Sequence, residues 1–441
     1  MAFVAPIRYT SRYLLVSPQS PLLEDACVVV EGRSISYAGP RAGSDGCGPF
    51  EETVDLGRSI VIPGFVNTHA HSAMSLLRGV GNGLSLDSWL KEKVWPLEAR
   101  LSEKDMVQGN LLSLAEYLRT GITTFIDFYN VRPMLSALER LPLRATLSLA
   151  FLDLVPGMEE ESWRRLKEVK DYRRLVEDGS GLRHLALAVH SAYACSEEMI
   201  RGVARAAEEW RLLITSHVQE SRAEMRSMKK KHGSSTTEYF RRMGLLKRGI
   251  LAAHGVHLSD DDISVLARCR STVAHCPRSN SRLGVGIAPI PSMLQAGLNV
   301  SIGTDGAGSC DSVDFFEEMR VAAYLQRART EDAAALDGRT LLRMAMTNGS
   351  SALGLPTSMG LKKGSPADFT AVSLKGPHVN PSYDLLSNVV FAARPDDVRL
   401  TAVDGKVLYD DGEVVGLDLA SLTDEVNEIA GSLGRLFSPA L

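Results

Sequence analysis

The chain has 441 residues, and no apolar run in it reaches the roughly 18 needed to span a bilayer. Its start, MAFVAPIRYTSRYLLVSP, has no charged segment followed by an unbroken apolar one, so no secretory signal is expected. The six cysteines (Cys27, Cys47, Cys195, Cys269, Cys276 and Cys310) include no C-x-x-C pair, which argues against a zinc ribbon or a thioredoxin-like redox couple. Without a secretory signal, reduced cysteines and a cytoplasmic location are expected. Internal repeats and low-complexity segments are absent, which excludes solenoids and linker-like chains. A large excess of either charge is also missing. The net charge is −4, which gives no footprint for nucleic acid or an anionic membrane as a partner. With 44% hydrophobic and 23% charged residues, the composition is that of a globular protein, and the length suits one large α/β barrel with an appendage.

Both ends of the chain read as β-structure. ACVVVEGRSISYAG (26–39) is a β-branched run with a Glu-Gly turn in its middle, which predicts a hairpin. Near the other end, 367–374 and 398–415 are strand-like, punctuated by Asp404-Gly405 and Asp411-Gly412. Between them, short apolar runs alternate with helical patterns such as 103–119 and 196–210. The runs are 61–68, 122–127, 143–151, 184–190, 211–217, 249–254, 271–275 and 298–305. Eight such βα units over about 300 residues predict a (β/α)8 barrel, with an open doubly wound sheet as the alternative. The expected division is 1–60 and 363–441 for a small β-sandwich built from both ends, with a C-terminal helix. Residues 61–362 are expected to form the barrel.

The polar residues collect where these runs end. The first ends in Asn67-Thr68-His69-Ala70-His71, and alternate residues of an extended chain share a face. A lone His-x-His is weak evidence. However, later runs end in His190, His217, His254, His275 and Asp305, and barrel active sites are built from the carboxyl ends of several strands. Imidazoles with one carboxylate suit zinc or iron(II), whereas calcium or magnesium calls for mostly oxygen ligands. Glu220, three residues after His217, stands where a proton shuttle would be needed, although H-x-x-E alone is commonplace. Asp305 lies in GTDGAGS, which lacks the G-x-x-x-x-G-K-[ST] pattern of a phosphate loop. On spacing alone, Trp89 and Trp95 read as core aromatics, and the 228–232 run MKKKH reads as a solvated helix face.

Five segments in order, GFVNTHAHSAMSLLRG, SHVQES, AAHGVHLS, HCPRSNSRLG with GIAPI, and GTDGAGS, resemble the amidohydrolase superfamily. More narrowly, they are similar to its 5'-methylthioadenosine/S-adenosylhomocysteine deaminase and chlorohydrolase branch. The resemblance covers nearly the whole chain. It implies a distorted (β/α)8 barrel, one divalent metal (zinc, with iron(II) as the alternative) and hydrolysis at a ring carbon. It also implies that His69, His71, His217 and Asp305 are metal ligands. In the same way, Glu220 is implied as the acid/base, His254 as the residue that orients water, and His190 as a substrate contact. The binuclear branches offer a lysine on strand 4. Here that strand ends in His190, which favours one metal. LDSWLKEKVWPLEARL (86–101) resembles the deaminases, implying that Glu98 grips ribose hydroxyls and Trp89 lies against substrate.

One departure stands out. Homocysteine-recognising members place arginines after strand 3. Here Leu149 falls near the first, and Arg164 or Arg165 is left to supply the second. The expected reaction is therefore deamination of 5'-methylthioadenosine or adenosine in preference to S-adenosylhomocysteine. The alternatives are a hydrolase of a free aminopurine, pterin or triazine, a cyclic-amide hydrolase, and a metal-free binding protein on the same fold. A small-molecule substrate is expected, and an assembly of identical chains is expected as well, with no sequence feature setting its size.

Overall fold

The computed structural model describes residues 5–355 and 360–434. The chain begins with β1 (Ile7–Leu15), β2 (Leu22–Glu31), β3 (Ser34–Pro40), β4 (Glu52–Asp55) and β5 (Ser59–Pro63). It continues with β6 (Phe65–Ala70), β7 (Ile122–Asp127), β8 (Arg144–Phe151), β9 (Arg183–Val189) and β10 (Leu213–Val218). Then come β11 (Leu251–His254), β12 (Thr272–His275) and β13 (Asn299–Ile302). The last strands are β14 (Phe369–Ser373), β15 (Val398–Val403), β16 (Lys406–Asp410) and β17 (Glu413–Val414).

β6 to β13 form one parallel sheet with neighbours in chain order. A doubly wound sheet reverses its strand order at a switch point, so this order decides for the barrel. The barrel is nearly closed. Between β13 and β6 no strand ladder forms among the described residues, and the seam is held by individual bonds. Asp305 N donates to His69 O at 2.9 Å, Thr68 Oγ1 to Ile302 O at 2.8 Å, and Asn67 Nδ2 to Thr304 Oγ1 at 2.7 Å. The distortion thus falls where His69 and Asp305 meet.

The remaining nine strands form one sheet from both chain ends, in the order β17-β16-β15-β14-β5-β1-β2-β3, with β4 beside β1. The predicted hairpin turns are present. Gly32 separates β2 from β3, and Asp404-Gly405, both with positive φ as a tight hairpin needs, joins β15 to β16. The sheet curls on itself: Arg33 pairs with Asp404, and Ala367 N donates to Arg33 O. Tyr9, Val28, Phe369 and Leu400 lie in its own apolar core. The apolar run 61–68, read as one strand, is two. β5 belongs to this sheet and β6 to the barrel, with Gly64 at the break. A Cβ there would lie 2.1 Å from Thr123 Oγ1, so the close crossing of the two layers needs glycine.

A buried ion pair ties the layers together. Arg144 of β8 donates to both carboxylate oxygens of Asp368, at 2.6 and 3.2 Å, and each side chain is 3% exposed. The helix Glu103–Arg119 starts at a Ser102/Asp105 capping box, and the helix Glu197–Trp210 starts at Ser196, as the apolar periodicity of both segments predicts. The terminal helix Leu419–Gly434 packs on Glu103–Arg119. Among the described residues no helix is long and apolar enough to cross a membrane.

Candidate active site

The carboxyl ends of the barrel strands bring most of the singled-out residues together. His69 and His71 leave β6, His217 leaves β10, His254 ends β11, and Asp305 follows β13. His254 and Asp305 have φ of 71° and 60°, and Gln219, beside Glu220, has 51°. Non-glycine residues rarely occupy this left-handed region, and they persist there when surrounding bonds hold them.

The donor atoms converge. Those of His69, His71 and His217 all lie within 4.8 Å of one another, and so do those of His69, His254 and Asp305. His71 Nε2 is 3.3 Å from His217 Nε2, and the Nε2 atoms of His69 and His71 are each 3.5 Å from Asp305 Oδ1. His69 Nε2 is buried with no hydrogen-bond partner among the described residues. Burial pushes the His71 imidazole down to about 3 and that of His217 well below its usual range, so both are neutral with a lone pair free. Burial by itself would raise the Asp305 carboxyl. The nearby His69 and the other imidazoles around it outweigh this and hold the carboxyl well below its usual range. Neutral imidazoles and one carboxylate around an orphaned nitrogen are the donor set of a divalent transition metal, so the residues present fit such an ion. The His217 tautomer is set from behind: Nδ1 donates to His190 O at 2.7 Å, leaving Nε2 for the cluster.

Glu220 lies beside this cluster, its Oε1 3.7 Å from His254 Nε2. Burial, and then the charges of Asp305 and Glu224, push its carboxyl well above the usual range, which favours its protonated form.

A cavity of about 350 Å³ opens above these groups, walled largely by apolar side chains such as Phe128, Leu152 and Leu283. Its roof is the segment 86–98, a helical turn Leu86–Trp89, a π-turn Leu90–Val94 and a turn Trp95–Glu98. Trp89 lines the cavity with its indole N–H spent on Val80 O at 3.0 Å, so it offers a face and no donor. Glu98 is hydrogen-bonded to Tyr129, and withdrawal from water raises its carboxyl to about 7. His190 lines the wall and is neutral, lowered by burial to about 4.

Residues 60–408 match the family described as the Amidohydrolase family. The chain belongs to this family. A 5'-deoxyadenosine deaminase of Methanosarcina mazei is 37% identical over 433 residues, 98% of this chain and 99% of the relative. A 5-methylthioadenosine/S-adenosylhomocysteine deaminase of Pyrococcus abyssi is 35% identical over 388 residues, 87% of this chain and 90% of the relative. Among solved structures, an adenosine deaminase from Xanthomonas campestris with bound zinc superposes with a TM-score of 0.91 at 28% identity, covering 97% of this chain and 98% of that one. An atrazine chlorohydrolase from Arthrobacter aurescens, complexed with zinc, has a TM-score of 0.88 at 21% identity, covering 96% and 100%. That likeness is one of fold alone.

Several expectations change in this amidohydrolase. Leu149 does not line the cavity. It points from β8 into the core between strands and helices, and the neighbouring Ala150 faces the cavity. The alternation of side chains along a strand puts position 149 on the far face. Arg164 is on the surface, paired with Glu161 and Glu168, and does not reach the cavity. Arg165 does reach it, but its three nitrogens are engaged by Glu161, Ala150 O and Asn130 Oδ1. His275 stays out of the donor cluster and is buried at 1% exposure.

Sequence reasoning missed the groups behind the cluster. Glu224 accepts from the backbone N–H of both Gln219 and Glu220 at 3.0 Å, which holds the turn that presents Glu220. The S-x-x-E spacing of Ser221 and Glu224, a helix-start signal, was the clue available. Ser279 and Ser309 donate to Asp305 Oδ2 at 2.6 and 2.9 Å, and Asn280 bonds His254 at 2.9 Å. Nothing in the spacing of these short polar residues singled them out.

Proposed function

We propose that this chain is a metal-dependent hydrolytic deaminase of an adenosine-type nucleoside, releasing ammonia and the inosine-type product. The observation that carries the reading is Glu220, a buried carboxyl 3.7 Å from His254 at the edge of a His/Asp donor cluster on the floor of an apolar cavity. The deaminases among its relatives support it.

His69, His71, His217 and Asp305 would hold one metal, and His190 in place of a strand-4 lysine supports a single ion. Zinc suits the donors, with iron(II) as the alternative. When bound, the metal lowers the pKa of a water toward 7 and so supplies a nucleophile at neutral pH. Glu220 donates its proton to N1 of the purine, which makes C6 electrophilic. Asp305 and His254 take the proton from the water as its oxygen bonds to C6. Asp305 then passes that proton to the amino nitrogen, while Glu220, now ionised, takes the proton of the new C6 hydroxyl. The C6–N bond breaks, and ammonia leaves. Glu98, at the roof, accepts hydrogen bonds from the ribose hydroxyls, with His190 and Trp89 against the substrate. Arg165 is charge-paired with Glu161 and spends one N–H of each nitrogen on Glu161, Ala150 O and Asn130 Oδ1, which weakens its hold on a homocysteine carboxylate. A cytoplasmic location and an assembly of identical chains belong to the same reading.

The test is kcat/KM for 5'-deoxyadenosine, 5'-methylthioadenosine, adenosine, S-adenosylhomocysteine and adenine in one buffer, read by ammonia release. The three nucleosides without an amino-acid tail should lead. They should exceed adenine roughly tenfold to a few hundredfold, because a buried carboxylate left without its hydroxyl partners costs about that much. Adenine equal to the nucleosides would remove Glu98 as a ribose clamp. A clear lead for S-adenosylhomocysteine would mean that Arg165 rearranges to meet its carboxylate.

A further inference from the structure

The helix Pro277–Arg282 follows β12 and contacts two of the proton-handling groups at once. Ser279 Oγ donates to Asp305 Oδ2 at 2.6 Å, and Asn280 Oδ1 lies 2.9 Å from His254 Nδ1. Its start is anchored: Arg278 N donates to Glu318 Oε2 at 3.3 Å, and the Arg278 guanidinium to Ser312 O at 2.7 Å. His254 and Asn280 are each 1% exposed, so water does not compete for their bond.

An amide oxygen carries no hydrogen. With Oδ1 facing the ring, Nδ1 of His254 has to be the donor. A neutral imidazole with its proton on Nδ1 leaves the lone pair on Nε2. That atom is on the cluster side, 3.7 Å from Glu220 Oε1, and His254 is held there with φ at 71°. The opposite amide orientation would place the proton on Nε2, and His254 would then donate where a proton has to be accepted.

We propose that Asn280 is a positioning residue that locks His254 in its Nδ1–H tautomer, so that Nε2 is the acceptor for the proton of the attacking water. Its place in catalysis rests on the deaminase reading, whereas the tautomer itself does not. Two variants of the metal-loaded enzyme separate an acceptor from a space-filler. Asn280→Asp offers Nδ1 a carboxylate oxygen as acceptor and should keep kcat within several-fold of the native value. Asn280→Leu fills similar volume without an acceptor and should lose roughly 10–100-fold in kcat, with KM and metal content unchanged. Asn280→Asp falling as far as Asn280→Leu, or Asn280→Leu turning over normally, overturns the proposal. A second measurement needs no variant at position 280. Long-range 1H–15N correlation on the zinc-loaded protein with 15N-labelled histidine, with His254 assigned by its loss in His254→Asn, should show the proton on Nδ1. A proton on Nε2 overturns the tautomer assignment even if activity on nucleosides is confirmed, and a proton on Nδ1 upholds it even if that activity is absent.

Discussion

Glu220 and Glu98 are both carboxylates raised by withdrawal from water, at opposite ends of one cavity, and their tasks differ with their neighbours. Glu220 is beside the donor cluster, and burial favours its protonated form, which suits a group that has to give a proton up to a ring nitrogen. Glu220→Gln should therefore retain metal and fold while kcat falls by roughly 10²–10⁴-fold, the range of general acid–base catalysis. Near-normal turnover in that variant, with metal content measured alongside, would remove it from the mechanism. Glu98 titrates near 7. Below that pH it is protonated and accepts poorly. Above it, the ionised group can accept from both ribose hydroxyls. The ratio of kcat/KM for adenosine to that for adenine should therefore rise as pH increases through about 7, and Glu98→Gln should flatten this dependence. Taking the ratio cancels any loss of metal in acid, because both substrates share it.

At the level of elements, the site depends on how strand ends are joined to what lies behind them. The seam between β13 and β6 is held by side-chain and single backbone bonds, which frees the ends of both strands to turn His69 and Asp305 toward each other. On the far side, Arg144 of β8 locks the barrel onto β14 through Asp368. Replacing one member of a buried pair strands the other charge, at a cost of about 3–5 kcal/mol. Arg144→Met, which keeps apolar bulk but leaves Asp368 without its partner, should lower unfolding stability by that amount in urea titrations. Because this pair is at the junction of barrel and sheet and does not line the cavity, kcat at 25 °C should change little. Apolar periodicity made the strands and the helices Glu103–Arg119 and Glu197–Trp210 legible in the sequence. The break at Gly64 was not, because Val61 to Thr68 is extended on both sides of it, and only the crossing of two sheets shows that the run serves both.

For the whole molecule, the metal is the strongest coupling between fold and activity. Elemental analysis should find about one transition-metal ion per chain, bound through His69, His71, His217 and Asp305. Chelation should abolish deamination and lower the thermal midpoint, since an ion bound only by the folded state stabilises it by mass action. Zinc should restore both. Two ions per chain, or none after repletion, would contradict the ligand set. Acid should release the ion, because the imidazoles bind only when neutral.

The order of the eight apolar runs and the polar residues at their ends are properties of the sequence, because strand burial imposes apolar runs and catalysis in a barrel imposes polar ends. That much narrowed the fold to a barrel or a doubly wound sheet and singled out the histidines and Asp305; the five motifs and the family they resemble pointed to the barrel and to Glu220 as the acid/base. Tertiary structure decided what one-dimensional spacing cannot encode. It separated Arg165 from Arg164, because only the helix face settles which of two neighbours reaches the cavity. It turned Leu149 into the core, because register along β8 determines which face each residue takes. It brought Glu224, Ser279 and Asn280 behind the catalytic groups, because hydrogen bonds between distant elements form only once those elements are packed.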